Sequence, residues 1–280
     1  MNEPLAPINM NAFRRLYKQR MAAASKPFLA RGITVERCDQ CLLARRCCLC
    51  AFLAPLPNGL ELDIILLMHR DEILKPTNTG RLLAEAFPEQ CFVFEWSRLE
   101  PDPALLAMIQ DPARQCAIVY PAKQARATIN IEAFDELPVR NDCSEQLVCN
   151  GLIAQHFQPR RATLILLDGT WRQAARMFNH SRWLSHLPSL ALPDARQATY
   201  AVRKASEDSR LSTAEAAVAL LAYCGQQAAA NHLWHVFSVF NQHYQATRMC
   251  INIEPSSSHQ YLQRMPKAAI NRRGEGGQRG

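Results

Sequence analysis

A dense group of cysteines is the first feature of the chain that could do chemistry. Five of the eleven cysteines lie between residues 38 and 50. A C-x-x-C pair can hold one metal ion from a tight turn, and a second close pair completes the tetrahedral thiolate set that zinc prefers. Buried free thiols are the alternative. The pattern predicts a structural zinc knuckle over residues 32–55, with Cys47 as a spare or alternative ligand. The predicted ligands are Cys38, Cys41, Cys48 and Cys50.

A second candidate centre is the sequence Asp168-Gly-Thr-Trp171, which follows directly on the apolar run 162–167. Ligands of open α/β sheets bind at the carboxyl ends of the strands. Asp168 could therefore act as a general base there, and Trp171 could stack on a nucleobase. A helix N-cap at Asp168 with Trp171 packed in the core would explain the same residues. Arg172 and Arg176 lie one turn apart on the helix that follows, where they could meet phosphates.

Two further segments could contribute to the same crevice. In the segment 75–81, Thr79 can cap a helix and Gly80 lets the backbone approach an anion. A plain helix N-cap is the alternative for this segment. The other segment, 212–215, matches a capping box, which explains it structurally. A role in the site would require this segment to face Asp168.

The elements that must position these residues alternate between strands and helices. Near-continuous apolar strands separated by helices indicate an α/β sheet that is covered on both faces. Residues 121–160 are polar and contain two prolines, so they are interpreted as an irregular insertion. Strands are predicted over 62–68, 91–94, 116–120, 162–167, 189–192 and 199–202, and helices over 79–87, 103–110, 171–178, 212–224 and 228–246.

Both ends of the chain are expected to differ from the core. Residues 1–31 form a basic arm. A helix there would have one basic face that could rest on a phosphate backbone, and a solvated amphipathic arm is the alternative. Arg45 and Arg46 add positive charge to the knuckle, which could help to hold RNA. Residues 251–280 are rich in Ser, Gly and Arg and are expected to be a disordered tail.

The composition is that of a globular protein. The 280 residues are 48% hydrophobic and carry a formal charge of +7, which permits an anionic partner such as RNA without requiring one. Residues 1–20 show no signal-peptide pattern, and no apolar run is long enough to span a bilayer. A cytoplasmic protein is expected, with no membrane partner and no obligate protein partner.

In combination, these segments resemble the DTW-domain family, and within it the bacterial tRNA-uridine aminocarboxypropyltransferases. The likeness covers about residues 26 to 245 in the right order, and Asp168, Thr170 and Trp171 match the family's Asp-x-Thr-Trp signature. It rests on the cysteine spacing at 38–50, Lys75-Pro-Thr-Asn-Thr-Gly-Arg-Leu82, Trp96-Ser-Arg98, Asp168-Gly-Thr-Trp171 and Ser212-Thr-Ala-Glu-Ala216. The chain departs from the family pattern in the extra Cys47 and in the long 121–160 insertion.

The resemblance implies a fold related to the knotted SPOUT methyltransferases, with a catalytic domain over 56–250 after the knuckle. It also implies transfer of the 3-amino-3-carboxypropyl group of S-adenosylmethionine to N3 of a uridine in tRNA, with release of methylthioadenosine. For bacterial members the target lies in the tRNA variable loop. The zinc ion would be structural.

Roles for individual residues follow from this resemblance. Asp168 is expected to take or orient the N3 proton. The expected cofactor contacts are Thr79, Gly80, Trp96, Thr170 and Trp171. The expected RNA contacts are Arg81, Arg172, Arg176, Arg203, Ser212, Thr213 and Glu215.

Two other functions are compatible with the same residues. A SPOUT-class methyltransferase acting on tRNA or rRNA would release adenosylhomocysteine instead of methylthioadenosine. A non-catalytic RNA-binding protein, built on the knuckle and the basic arm, would bind RNA without affinity for S-adenosylmethionine.

Overall fold

Six strands of the described chain form the sheet on which the candidate site is built. The computed structural model describes residues 10–24, 35–120, 128–129, 160–190 and 211–266, with backbone alone at 128–129. The strands are β1 (Asp63–Met68), β2 (Cys91–Glu95), β3 (Arg114–Val119), β4 (Thr128–Ile129), β5 (Arg161–Asp168) and β6 (Ser189–Leu190). They lie in the order β2-β1-β5-β3-β6-β4, and each neighbouring pair is parallel.

The order of the central strands explains where a site can form. β1 is buried along its whole length, as expected for an apolar strand covered on both faces of a parallel sheet. The chain passes outward from β1 to β2, crosses back to β3, and β5 then enters between β1 and β3. Met68 is level with Asp168, so the carboxyl ends of β1 and β5 adjoin. Ligands of open α/β sheets bind at such switch points.

Helices cover both faces of the sheet, as predicted. They are α1 (Ala12–Ala22), α2 (Arg70–Ile73), α3 (Arg81–Ala86), α4 (Pro103–Gln110), α5 (Trp171–His180), α6 (Thr213–Tyr223), α7 (Gln227–Met249) and α8 (Ser257–Arg264). Ile64 and Leu66 of β1 pack in one core with the cysteine segment, α1, α3, α6, α7 and α8; we call this side the knuckle face. Ile65 and Leu67 pack in the other core with α4 and α5, on the α5 face. None of the described helices is long and apolar enough to cross a bilayer.

Most predicted elements agree with the structure to within a few residues. The elements outside the predicted set include α2, β4 and α8. α2 begins where the His69 side chain accepts a hydrogen bond from the backbone N–H of Asp71. The predicted strand at 199–202 and most of the 121–160 insertion lie outside the described residues. The SPOUT knot depends on the path of such segments, so it stays a prediction.

The prediction of a disordered tail over 251–280 is wrong for its first part. α8 packs on the knuckle face, where Leu262 is buried in the core. His259 is also buried, and its Nε2 lies 3.0 Å from Nε2 of His243 on α7. Ser256 and His259 form a capping box, so the serines that suggested disorder begin a helix. Residues 267–280 lie outside the described part of the chain.

Within the N-terminal arm, residues 12–22 form the helix α1, which is not simply solvated. Phe13 is buried in the knuckle-face core. The guanidinium of Arg14 forms two hydrogen bonds with the carboxylate of Glu85 on α3, at 2.9 and 3.0 Å. Arg20 pairs with Glu95 at 3.4 Å. Two of the positive charges in α1 are therefore neutralised within the protein.

The Arg14–Glu85 pair should contribute strongly to stability because both side chains are less than 10% exposed. We expect Glu85→Ala to lower the free energy of unfolding by about 3 kcal/mol, since it leaves a buried guanidinium without its counter-charge. The control Glu95→Ala breaks a pair that is more than a quarter exposed and should cost less than about 1 kcal/mol. Urea denaturation measures both values, and equal losses would contradict the assignment.

Candidate functional site

Three distant segments of the chain converge on the carboxylate of Asp168. This residue ends β5 at the carboxyl edge of the sheet and is 2% exposed. Its Oδ2 accepts a hydrogen bond from the Nδ2 group of Asn78 at 2.6 Å. Its Oδ1 accepts one from the hydroxyl of Thr213, the first residue of α6, at 2.5 Å. The predicted condition that the 212–215 segment faces Asp168 is therefore met through Thr213.

The surroundings of Asp168 tune its proton affinity. Burial raises the pKa of its carboxyl to about 6, although the hydrogen bonds from Thr213 and Asn78 favour the ionised form. Glu72 raises this pKa further and Lys75 lowers it. A general base works best when its pKa lies near the operating pH. At neutral pH this carboxylate is mostly ionised, and it can accept a proton from a bound substrate.

Gly80 is required by the close approach of the Asp168 carboxylate. A Cβ atom at this position would lie 2.7 Å from Oδ1 and 2.8 Å from Cγ of Asp168, a separation that side chains do not tolerate. The neighbouring Thr79 hydroxyl accepts a hydrogen bond from the backbone N–H of Ala214 at 3.4 Å. The Thr79-Gly80 pair therefore lies against the carboxylate and holds the start of α6 beside it.

The placement of Arg81 does not support its predicted contact with RNA, because its guanidinium is enclosed by protein. The residue is 2% exposed, and one nitrogen donates a hydrogen bond to the carbonyl oxygen of Cys41 at 2.6 Å. Another donates to the carbonyl oxygen of Asn78 at 3.2 Å. The guanidinium also lies 5.3 Å from the centre of the Phe240 ring. Arg81 thus joins the cysteine segment to the loop that carries Asn78.

Other predicted residues serve as helix caps. Ser212 and Glu215 form the capping box of α6, so a structural role accounts for both side chains. Thr170 forms a second capping box with Gln173 at the start of α5. Trp171, in contrast, is 48% exposed and is not packed in the core. Arg203 lies outside the described residues.

Two residues that hold the strand ends together, Asn78 and His69, were not assigned to the site from the sequence. The Nδ1 atom of His69 lies 3.1 Å from the side-chain nitrogen of Gln173. The His69 ring stacks on Trp96 with a centroid separation of 5.9 Å. The indole N–H of Trp96 in turn donates to the hydroxyl of Ser181 at 2.8 Å. The sequence offered a signal for each residue. His69 follows directly on β1, and Asn78 places an amide within the 75–81 segment.

A groove of about 540 Å³ runs between α1 and the β2 edge, and its lining residues do not include Asp168. Trp96 and Ser97 line the end of this groove, together with the charged residues Arg15, Glu95 and Glu100. Acidic and basic side chains are mixed along it, so it does not match a polyanion. The chemistry of the site therefore depends on the strand ends and not on this groove.

The four predicted zinc ligands come together. The sulfur atoms of Cys38, Cys41, Cys48 and Cys50 all lie within 4.8 Å of one another. Three of the separations are 3.5, 3.7 and 3.8 Å. Zinc–sulfur bonds of about 2.3 Å in a tetrahedron give edges of about 3.8 Å, so the set fits a zinc ion. Cys47 packs elsewhere, with Ala44 and Ala246, so Cys48 and not Cys47 completes the set of four thiols.

A tight backbone turn brings the cysteines of the cluster together. Leu42 adopts a left-handed conformation, and the N–H of Cys38 bonds to the carbonyl oxygen of Leu43 at 2.8 Å, which closes the turn. Hydrogen bonds from Cys48 and Cys50, and from backbone N–H groups at Leu49 and Leu43, lower the pKa of the Cys41 thiol. The contacts with Cys41 raise the pKa of the Cys48 and Cys50 thiols. A lowered thiol pKa favours the form that binds metal.

Metal analysis should distinguish Cys48 from Cys47. We expect Cys48→Ser to lose bound zinc and to lower the melting temperature by about 5 °C or more, because a structural zinc site contributes to folding. The neighbouring Cys47→Ser should keep one zinc ion per chain. Inductively coupled plasma mass spectrometry and a thermal melt measure both effects. Loss of zinc in Cys47→Ser alone would reverse the ligand assignment.

Comparison with known proteins finds one family model and several curated relatives that match the chain. The DTW domain family model matches residues 35–245. The tRNA-uridine aminocarboxypropyltransferase 2 of Macaca fascicularis is 28% identical over 187 residues, which is 65% of this chain and 55% of that protein. The protein of the same name from Mus musculus is 28% identical over 68% of this chain and 59% of its own length. The Drosophila melanogaster protein of that name is 25% identical over 190 residues, which is 67% of this chain and 66% of that protein.

These comparisons have defined limits. The chain spans about half to two thirds of the length of these curated relatives. No solved structure matches it. The relatives come from animals, so the particular likeness to bacterial members stays a prediction. The family model covers most of the chain, including the cysteine cluster and the Asp168-Gly-Thr-Trp171 signature. The chain therefore belongs to the DTW-domain family.

Proposed function

We propose that this protein is a tRNA-uridine aminocarboxypropyltransferase that transfers the 3-amino-3-carboxypropyl group of S-adenosylmethionine to N3 of a uridine. The observation that carries the proposal is the buried carboxylate of Asp168, with a pKa of about 6, at the carboxyl edge of the sheet. The names of the three animal relatives support the same activity.

The proposed reaction requires a proton acceptor in the site. N3 of uridine holds its proton near neutral pH and is a poor nucleophile until that proton leaves. The Asp168 carboxylate takes this proton. The N3 electron pair then forms a bond to the methylene carbon next to the sulfonium, while the carbon–sulfur bond breaks and its electron pair stays on sulfur. The product that leaves is methylthioadenosine.

Asn78 and Thr213 prepare the carboxylate for this step. Each occupies one lone-pair position of a group that offers about four, so positions remain for the N3 proton. Their hydrogen bonds also fix the carboxylate in one orientation, which matters because alignment dominates such displacements. The sulfonium is already an activated leaving group, so the zinc ion is assigned a structural role.

S-adenosylmethionine is proposed to bind along the same edge of the sheet. The Thr79-Gly80 backbone lies against Asp168, and Thr170 begins α5 beside it. Trp96 and Trp171 supply aromatic surfaces near the strand ends. Either ring could stack on adenine or on the uridine base.

Removal of the base should abolish the reaction without abolishing cofactor binding. We expect Asp168→Ala to form no modified nucleoside, while its affinity for S-adenosylmethionine stays within about tenfold, or 1.4 kcal/mol. The exposed Glu89→Ala serves as the matched carboxylate control and should modify tRNA at the wild-type rate. Nucleoside mass spectrometry and calorimetry measure the two quantities. Near-normal turnover of Asp168→Ala would mean that another group takes the proton.

The pH dependence tests how Asp168 acts. A base works in its deprotonated form, so the single-turnover rate should rise with pH through about 6 and then level off. Asn78→Ala removes a hydrogen bond that favours the ionised form, which should raise the pKa of Asp168 and move the midpoint to higher pH. A midpoint that stays in place would show that Asn78 does not act through this carboxylate.

The by-product identifies the reaction class. Purified protein is incubated with unmodified tRNA and S-adenosylmethionine, and nucleosides and by-products are analysed by mass spectrometry. We expect aminocarboxypropyl-uridine together with methylthioadenosine, after which the modified position can be mapped. A methylated base with adenosylhomocysteine would indicate a methyltransferase instead. RNA binding without any product would indicate a binding protein.

A further inference from the structure

α5 and the turn that follows it form the most one-sidedly charged segment near the candidate site. Residues 169–190 contain three arginines and two histidines but no Asp or Glu, although the whole chain has 25 acidic residues. Arg172 and Arg176 are exposed on α5, and Arg182 is exposed on the 3-10 turn Arg182–Leu184. The segment begins directly after Asp168.

The helix directs these arginines away from the protein. At 100° per residue, positions 172, 176 and 180 fall within an arc of about 80° and are spaced by about 6 Å along the axis. Met177 and Phe178 occupy the other side of α5 and are buried in the core of the α5 face. Arg172, Arg176 and His180 therefore form a row that faces solvent.

Within the part of the chain that the structure describes, none of the three arginines forms an ion pair. Near the start of α5, the Oδ2 atom of Asp71 lies 3.4 Å from the side-chain nitrogen of Gln173. The positive charges of the three guanidinium groups are therefore available to bind an anionic partner. Unpaired arginines in a row are the electrostatic footprint of a phosphate backbone.

The other basic surfaces carry counter-charges that neutralise part of their positive charge. On α1, Arg14 and Arg20 pair with Glu85 and Glu95. On the knuckle, Arg45 pairs with Glu36 at 2.9 Å, and Asp39 adds a second negative charge. Charge complementarity therefore favours α5 over the knuckle and the N-terminal arm as the surface for a polyanion.

We propose that the row on α5, continued by Arg182, binds the phosphate backbone of tRNA, so that the substrate lies along the carboxyl edge of the sheet, where Asp168 ends β5. The zinc knuckle lies on the face of the sheet opposite α5. Trp171 is half-exposed and occupies the first position of α5, between Asp168 and the arginine row in the sequence. A base that leaves the RNA stack can stack on its ring. This inference rests on the proposed function, since it names the surface that presents that substrate.

The test compares tRNA binding of Arg176→Glu/Arg182→Glu with that of Arg46→Glu, an exposed arginine of the knuckle. Fluorescence anisotropy with an unmodified tRNA transcript gives Kd at several salt concentrations. We expect the double variant to lose at least about tenfold in affinity, and the slope of log K against log salt to fall by about 1.5, because each phosphate contact contributes about 0.7–0.9. Arg46→Glu should stay within about twofold of wild type.

A second variant and two controls keep the result interpretable. Arg176→Gln/Arg182→Gln removes the charges without reversing them and should reduce the salt slope as well. Calorimetry with S-adenosylmethionine and a thermal melt should give wild-type values for both double variants. Unchanged tRNA affinity in the double variants, or a loss confined to Arg46→Glu, would overturn the proposal. Wild-type binding to phosphatidylserine vesicles but not to tRNA would overturn it as well.

Failure of this proposal can be told apart from failure of the proposed function. Binding is measured without turnover, so loss of tRNA affinity in the double variant would support the surface even if no aminocarboxypropyl-uridine forms. Conversely, a double variant that modifies tRNA with wild-type KM would reject the surface and leave the activity standing.

Discussion

The burial of one carboxylate is the constraint on which the rest of the site depends. Asp168 is almost inaccessible to solvent, and its ionised form has to be stabilised by the protein instead of by water. Asn78 and Thr213 supply the two hydrogen bonds that do this. Those donors belong to the loop before α3 and to the start of α6, so both elements must stay in place around β5. Gly80 completes the arrangement, because any side chain there would collide with the carboxylate.

Arg81 extends this constraint to the zinc knuckle. Its guanidinium bonds to backbone oxygens of Cys41, a predicted zinc ligand, and of Asn78, a partner of Asp168. Burial lowers the pKa of Arg81, while the charges of Cys41 and Glu85 raise it. A metal ion that fixes Cys41 would therefore also fix the position of the Arg81 guanidinium. The knuckle can support the site in this way without contributing a reacting group.

Local patterns in the sequence were sufficient for most of the fold and for the metal ligands. Apolar runs predict buried strands such as β1 and β5 because parallel strands are covered on both faces. The cysteine spacing predicts the thiolate set, but Cys47 and Cys48 can be separated only by where each side chain points. The side-chain contacts of Asn78 and His69, and the burial of Arg81, could not be predicted, because each depends on segments far apart in the chain. α8 was missed because a polar segment can be held by a few buried side chains, such as Leu262.

The energetic cost of Asp168 indicates what the site is built to do. The pKa of its carboxyl rises from 3.8 to about 6 in the fold, so the folded state binds this proton more readily than the unfolded state does. The ionised carboxylate therefore destabilises the fold. This cost is absent below pH 3.8, grows as the pH rises, and is complete above about 6, where it is on the order of 3 kcal/mol. A residue with a purely structural role would be expected to remove such a cost, for example as an amide. The chain instead keeps a carboxylate that is charged at neutral pH and destabilises the fold, and two donors hold its oxygens. This fits a group that takes up a proton during the reaction.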